Sequence, residues 1–282
     1  MGAEDKINCD DLKRLQEISK NIRCSIVTMV KDAAVGHIGG SLSVTDILIA
    51  LYFKVLNIKP EDPLWEDRDR LILSKGHGAT AIYSVLAERG FFPKEDLKTF
   101  GIIDSNFQVH PDKTKVPGIE ASTGALGQGL SVAAGMAMAA RLDKKDYHTY
   151  VILGDGEIQE GQIWEAAMFA SHYRLDNLTA ILDYNNVQLM GSVSDIMEIA
   201  PVDKKWASFG WEVIKIDGHD MEKIIDSLNK AKNIKGKPAI IIADTTKGKG
   251  VSFMEGSCSW HGSVPTEDEY SKAIKEITGG SR

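Results

Sequence analysis

The sequence predicts an α/β fold: a doubly wound, mainly parallel sheet with helices on both faces. Three observations carry that expectation. Short aliphatic runs alternate with helical patterns of roughly ten residues or more, the signature of strand–helix–strand crossovers. Those runs lack apolar–polar alternation, so both faces of each strand are buried, as in a parallel sheet covered on two sides. No Pro-, Gly- or Ser-rich linker divides the chain, so residues 1–282 read as a single domain with long loop insertions.

The elements follow in order. Leu12, Leu15, Ile18, Ile22, Ile26 and Met29 recur at helical steps and place a helix over Leu12 to Val30. Gly36-His37-Ile38-Gly39-Gly40 reads as a loop. Ser43 then caps a second helix, Val44 to Leu56, with Asp46 in its first turn against the amide dipoles. Leu71-Ile72-Leu73 is a strand; Ser74-Lys75-Gly76-His77-Gly78 follows it, and an Ala-rich helix runs to about Arg89. Positions 101–123 show no period and contain Pro111, Pro117 and Gly118; so long a structureless stretch inside a domain is either functional or wrongly assigned. Gly124 to Gly129 lead into a helix of small residues, Leu130 to Leu142, suited to close packing on a sheet. Strands Tyr150 to Leu153, Thr179 to Leu182, Trp211 to Ile216 and Ala239 to Ala243 alternate with helices Gln162 to Tyr173, Lys204 to Phe209 and Met221 to Asn233.

Composition excludes several classes. With 33 Lys+Arg against 40 Asp+Glu, the net charge of −7 disfavours a nucleic-acid binder, which needs a basic stripe. A hydrophobic share of 43% argues against disorder. No segment approaches the ~18 uninterrupted apolar residues of a membrane span. Cys9, Cys24 and Cys258 have no zinc spacing, and their odd number reads as a reducing compartment. Acidic and polar residues occupy positions 4–14 where a signal core would lie, and Lys6 stands where the myristoylation pattern begun by Met1-Gly2 requires Ser or Thr. A cytoplasmic protein is expected.

In an open parallel sheet the ligand crevice lies beyond the carboxyl ends of the strands. The unusual residues fall in that layer: Gly76-His77-Gly78, Gly154-Asp155-Gly156-Glu157, Asp183-Tyr184-Asn185-Asn186 and Thr245-Thr246-Lys247-Gly248-Lys249-Gly250. Asp155 between two glycines puts a carboxylate where a metal and a phosphate can both approach backbone, and Asn186 offers an amide oxygen. Such an oxygen-rich site suits Mg²⁺ or Ca²⁺. The same spacing also fits a surface turn at Asp155 and a helix cap at Asn186. Four of seven histidines, His37, His77, His110 and His261, stand in Gly- or Pro-marked loops, where imidazole can donate to anions or carry protons. His148 and His172 read as structural. Gly124 to Gly129 lacks both the G-x-G-x-x-G spacing and a preceding strand, Lys247-Gly248-Lys249-Gly250 lacks the P-loop ending, and no G-x-S-x-G elbow appears. Cys258 and His261 lie too close in sequence for a routine nucleophile–base pair. Phe253, Met254 and Trp260 are expected to pack or close a late loop.

These segments, taken in order, resemble the thiamine-diphosphate-binding domain of transketolases, most closely the N-terminal subunit of split, two-chain transketolases. The resemblance runs from about Leu12 to Gly262. It is carried by Gly36 to Ser43, Ser74 to Gly78, His110-Pro111-Asp112, Pro117 to Glu120, Ser122-Thr123-Gly124, Gly127-Gln128-Gly129, Gly154 to Glu157, Gln159-Glu160-Gly161, Asn186 and His261-Gly262. It implies Asp155 and Asn186 as side-chain metal ligands, with the Gln188 main-chain carbonyl completing the protein's share. It implies His77 and Gly156 as diphosphate contacts and His261 beside phosphates and substrate. Gly124 and Leu126 would face the cofactor rings, and His37 and His110 would handle substrate. Glu160 would join a network linking paired cofactor sites. The implied reaction moves a two-carbon ketol unit from a ketose phosphate to an aldose phosphate, as in pentose-phosphate interconversion, using thiamine diphosphate and Mg²⁺. The family's catalytic glutamate belongs to the next domain, so a C-terminal partner subunit is implied, with two copies of each chain. The form Gly39-Gly40-Ser41-Leu42, where one-chain sugar transketolases carry a proline, also resembles deoxyxylulose-phosphate-synthase-like carboligases. A scaffold or regulatory protein that kept the fold is the non-catalytic alternative.

Overall fold

The computed structural model describes residues 7–279; the readings at Met1-Gly2 and Lys6 lie outside them. Helices α1 (Cys9–Ala33) and α2 (Ile38–Ala50) precede strand β1 (Arg70–Leu73), and α3 (Ala79–Arg89) and α4 (Gln128–Leu142) separate it from β2 (Thr149–Gly154). Then come α5 (Gly161–His172), β3 (Leu178–Tyr184), α6 (Val193–Ile196), α7 (Val202–Ser208), β4 (Glu212–Asp217), α8 (Met221–Asn233), β5 (Ala239–Asp244) and α9 (Glu267–Thr278). Among the described residues the strands form one sheet in the order β1-β2-β3-β5-β4, every neighbouring pair parallel. Leu73 pairs with Ile152, Gly154 with Asp183 and Tyr184 with Asp244, so the carboxyl ends of four strands open on one edge.

Successive strand residues point to opposite faces, and each face feeds its own core. Leu71, Leu73, Tyr150, Ile152, Ile181 and Ile241 pack with α1, α2, α3, α8 and α9. Ile72, Val151, Leu153, Ala180, Leu182 and Ile240 pack with α4, α5 and α7. Burial on both faces is why these strands read as unbroken aliphatic runs, and the doubly wound expectation holds.

The segment expected as a loop at Gly36 to Gly40 is a loop only to His37. Helix α2 starts at Ile38, and Gly39 and Gly40 sit in its first turn. A Cβ on Gly39 would lie 2.6 Å from the Trp260 carbonyl oxygen, so glycine here allows close approach rather than a turn. Ser43 is therefore not an N-cap. It is buried inside α2, and its hydroxyl donates to Asp183 (2.6 Å). Asp46, expected to face the helix dipole, is buried against Arg23 instead. Residues Ile38–Val55, α2 plus the π-helical turn after it, are by length and composition apolar enough to cross a membrane, with a mean hydropathy of 1.5. The sequence pattern hides this because Asp46 and Lys54 interrupt it. The stretch is 83% buried and is the core helix of the first layer. Helix α9 is a further element beyond the sequence expectation; Thr266 and Glu269 close a reciprocal capping box at its start.

Candidate functional site

The open edge of the sheet holds a cavity of about 340 Å³, reached by residues from all four strand ends and from the late loop. Its floor is charged and dry. At the end of β1, Lys75 is 2% exposed, and its ammonium donates to the Gly40 carbonyl (2.8 Å) and to Asp183. Asp183, at the end of β3, also accepts from Ser43 and from Thr245 (2.5 Å). Burial pushes its carboxyl up, but the Lys75 ammonium and these hydroxyls outweigh burial and hold it below the usual carboxylate range. Glu157 ties three segments together: it accepts from Ser74, from the Gly127 N–H (2.8 Å) and from the Gly154 N–H (2.9 Å). Burial raises its carboxyl.

Asp155 is buried on a tight turn, not on a surface turn. Its Oδ1 accepts from the Gly156 N–H (2.8 Å) and its Oδ2 from the Asn186 N–H (2.5 Å). Burial, with the Asp183 charge behind it, pushes its carboxyl up to about 6. A carboxylate destabilised by desolvation and like charge is one that a divalent cation would relieve. Asn186 takes a left-handed conformation (φ 62°) that the Asp155 contact fixes; it caps no helix, since Ser192 caps α6. The Gln188 carbonyl accepts from the Lys247 ammonium (3.1 Å), so it already faces a cation, and Gln188 Nε2 is buried without a partner among the described residues. A Cβ on Gly156 would come within 3.0 Å of that same Nε2. No group of three or more His, Cys, Asp or Glu side chains among the described residues is placed to hold a metal ion. The cavity lining offers the Asp155 carboxylate, the amides of Asn185 and Gln188, backbone carbonyls and room for phosphate oxygens, while Asn186 is exposed and outside that lining. That set fits Mg²⁺ with a diphosphate.

The four loop histidines, separated by up to 224 positions in sequence, cluster together: His77 and His261 line the cavity, and His37 links them to His110 outside its lining. His37 lies 5.4 Å from His77, 5.9 Å from His110 and 5.3 Å from His261, ring centre to ring centre, and His77 lies 5.3 Å from His261. Burial, then the Lys247 charge, pulls His261 down to about 4. Burial, Lys75 and the neighbouring rings hold His77 well below the usual imidazole value, and burial lowers His37 as well. These three rings are neutral at pH 7. An incoming anion would raise their proton affinity, so the cluster is poised to donate to oxyanions and to trade protons. His37 Nδ1 is buried and has no partner among the described residues. His110 is exposed, and its ring backs onto Gly124 (φ 150°), where a Cβ would lie 3.0 Å from it.

Leu126 lines the cavity, 36% exposed, and Glu160 lies exposed at its edge. His148 is buried and bonded to Thr179 (2.8 Å), as expected; His172 is exposed on α5, edge-on to Tyr173. Phe253 packs edge-on to Trp260 at 5.5 Å, and Met254 is buried beneath the late loop. Sequence reasoning missed Lys75, Asp183, Glu157 and Lys247. Lys247 is 2% exposed and donates to the Val187 carbonyl (3.2 Å) and to His261 Nδ1 (2.9 Å). Burial and Lys75 lower its ammonium to about 8. The available signal was position: each of the four stands in a loop, or at a strand end, already placed on the ligand side.

A parallel sheet whose carboxyl edge gathers a buried carboxylate, two buried lysines and a cluster of histidines defines an α/β domain for a phosphorylated cofactor and a cation. The chain belongs to the transketolase family: the family described as "Transketolase, thiamine diphosphate binding domain" matches residues 15–281. It is 45% identical over 267 residues to a subunit of the apulose-4-phosphate transketolase of Phocaeicola vulgatus, covering 95% of each chain. It is also 45% identical over 263 residues to the SqwG subunit of the 6-deoxy-6-sulfo-D-fructose transketolase of a Clostridium species, covering 93% of this chain and 96% of the relative. The solved transketolase of Campylobacter jejuni superimposes with a TM-score of 0.90 at 37% identity, over 96% of this chain and 43% of that one. The chain thus spans less than half of a one-chain transketolase and nearly all of the split subunits.

Proposed function

We propose that this chain is the cofactor-binding subunit of a two-chain transketolase that moves a two-carbon ketol unit from a ketose to an aldose bearing an anionic end group. The convergence of Asp155, His77 and His261 on one cavity, with His37 and His110 clustered beside them, carries the reading. Asp155, Asn186 and the Gln188 carbonyl would hold Mg²⁺ against the diphosphate of thiamine diphosphate; Gly156, His77 and Lys247 would contact the phosphates. When bound, the cofactor supplies a thiazolium carbanion that breaks and remakes the carbon–carbon bond next to a carbonyl. Leu126 and Gly124 would support its rings. His37, His110 and His261 would bind the sugar hydroxyls and carbonyl oxygen and pass protons among them, the neutral state of His37 and His261 at pH 7 suiting both donation and acceptance.

Leu189 in the cavity wall and its chain neighbour Met190 stand 59% and 82% exposed. Apolar residues beside a charged, half-open site support a second chain closing over it, drying it and bringing the glutamate that serves the aminopyrimidine. Glu160 at the edge would then belong to the contact between paired sites in an assembly with two of each chain. Relatives named as subunits of an apulose-4-phosphate transketolase and of a sulfofructose transketolase support both the partner and an anionic ketose. The free thiols Cys9, Cys24 and Cys258 support a cytoplasmic setting.

The test is calorimetry and ketol transfer with and without a C-terminal partner. The single chain is expected to give no turnover, and the assembly to use a ketose phosphate but not pyruvate. Asp155→Ala should weaken Mg²⁺-dependent cofactor binding on the order of 100-fold or more. Robust turnover by the chain alone, or unchanged cofactor affinity in the variant, would refute the reading.

A further inference from the structure

Lys247 reaches the cavity from a loop that is pinned on both sides by one partly buried polar cluster behind the site. On one side, the Thr246 N–H donates to His219 Nε2 (2.8 Å). On the other, the Lys249 carbonyl accepts from Arg23 Nε (3.1 Å). Both pins converge on Asp46: its Oδ2 meets His219 Nδ1 (2.8 Å) and Arg23 (2.8 Å), and its Oδ1 accepts from Arg23 (3.1 Å) and Ser19 (2.9 Å). The Gly248 N–H donates to the Gly39 carbonyl (3.0 Å), which seats the loop on the first turn of α2.

The bonding fixes the imidazole's proton. A backbone N–H can only donate, so Nε2 must present its lone pair to Thr246. The ring proton is then on Nδ1, donated to the Asp46 carboxylate. A ring flip would put a carbon where Nε2 stood, and a proton on Nε2 would set two donors against each other at Thr246; either would free the loop. None of these four groups, Asp46, His219, Arg23 or the Thr246 amide, lines the cavity.

We propose that His219, held by Asp46 as the Nδ1-protonated neutral tautomer, is a positioning residue that sets the Lys247 ammonium in the cofactor cavity through the Thr246 backbone. The proposal deepens the functional reading above and rests on it for what Lys247 meets there.

Two substitutions separate the roles of the two nitrogens. His219→Asn keeps a donor at the Nδ1 position for Asp46 but leaves the Thr246 N–H without an acceptor. His219→Gln places a carbonyl oxygen where Nε2 stood. In the free full-length chain, acetic anhydride labelling of Lys247, read by peptide mass spectrometry, should rise about 5–10-fold in His219→Asn, the worth of one lost buried hydrogen bond. In His219→Gln it should return to within about twofold of the parent. In the assembly with its partner, thiamine diphosphate with Mg²⁺ should bind about 5–10-fold more weakly to His219→Asn and near normally to His219→Gln. Imidazole ¹⁵N spectra of the unsubstituted chain should show a bare Nε2 coupled through its hydrogen bond to the Thr246 amide. A protonated Nε2, or equal Lys247 labelling in parent and His219→Asn, would overturn the proposal, and the spectrum decides even if His219→Asn fails to fold. If the unsubstituted assembly binds no thiamine diphosphate while labelling follows the expected order, the positioning holds and the cofactor reading falls.

Discussion

Replacing Lys75 by Met tests the charged floor of the site. Lys75 and Asp183 are 2% and 0% exposed, so the substitution strands a carboxylate in a dry interior. Removing one partner of a buried pair costs about 3–5 kcal/mol, because the remaining charge keeps its desolvation penalty without its compensation. Asp183 retains donors in Ser43, Thr245 and Asn185, which places the loss toward the lower end, about 3 kcal/mol. The pH dependence sharpens the test. In the parent, the folded state holds Asp183 below its unfolded value, so that stability is present above the unfolded value and is lost as the pH falls through the folded one. In Lys75→Met the carboxyl rises above its unfolded value, and the variant then gains relative stability on acidification as the stranded charge takes up a proton. Urea unfolding at pH 8 and pH 5, with the m-value checked for constancy, should therefore show a larger deficit at pH 8. Replacing Asp183 by Leu in the same chain should recover part of the loss, since the stranded charge is gone. A deficit under about 1 kcal/mol, or one identical at both pH values, would refute the argument that this pair is compensated charge in a low-dielectric floor.

Two further outcomes follow from the same geometry. Burial holds His148 at about 3 against an ordinary value of 6.5, so the unfolded chain takes the proton first. Stability from this group is complete above about pH 6.5 and drains away down to about pH 3, worth about 5 kcal/mol at about 1.4 kcal/mol per pH unit. His148→Gln should flatten that acid limb in urea titrations between pH 7 and pH 4.5; an acid limb equal to the parent's would count against it. A Cβ on Gly76 would lie 2.6 Å from the Gly124 nitrogen and the Thr123 carbonyl carbon, both backbone. Gly76→Ala should lose about 1–3 kcal/mol and weaken cofactor binding, as the loop carrying Gly124 moves away from the site. An unchanged melting temperature would show that the loop yields freely.

Much of the frame was readable along the chain. Helix α8 has the bounds the periodicity predicts, and the strands fall within two residues of their aliphatic runs at either end. The errors share a cause. Gly39 and Gly40 look like loop residues because glycine is a local signal of permissive backbone, yet here its missing side chain makes room for the Trp260 carbonyl, more than 200 positions away. Ser43 looks like a cap and Asp46 like a dipole partner for the same reason: their real partners, Asp183 and Arg23, come from other elements. In the site, Asp155 was legible from its glycines and the histidines from their loops. Lys247 was not, because nothing in Thr246-Lys247-Gly248 says which way the ammonium turns.

What the sequence by itself determined is the set of parts: buried parallel strands, the helices that cover them, and polar residues at the strand ends. Local periodicity and turn chemistry act between residues a few positions apart, and that range suffices to specify such parts. The tertiary structure alone decided which parts meet. The order β1-β2-β3-β5-β4 gathers His37, His77, His110 and His261 into one cluster, puts Lys75 under Asp183, and sets His219 between Asp46 and the loop of Lys247. Each of those meetings joins groups from distant parts of the chain, where charge and hydrogen-bond direction take their meaning from neighbours that only the folded sheet supplies.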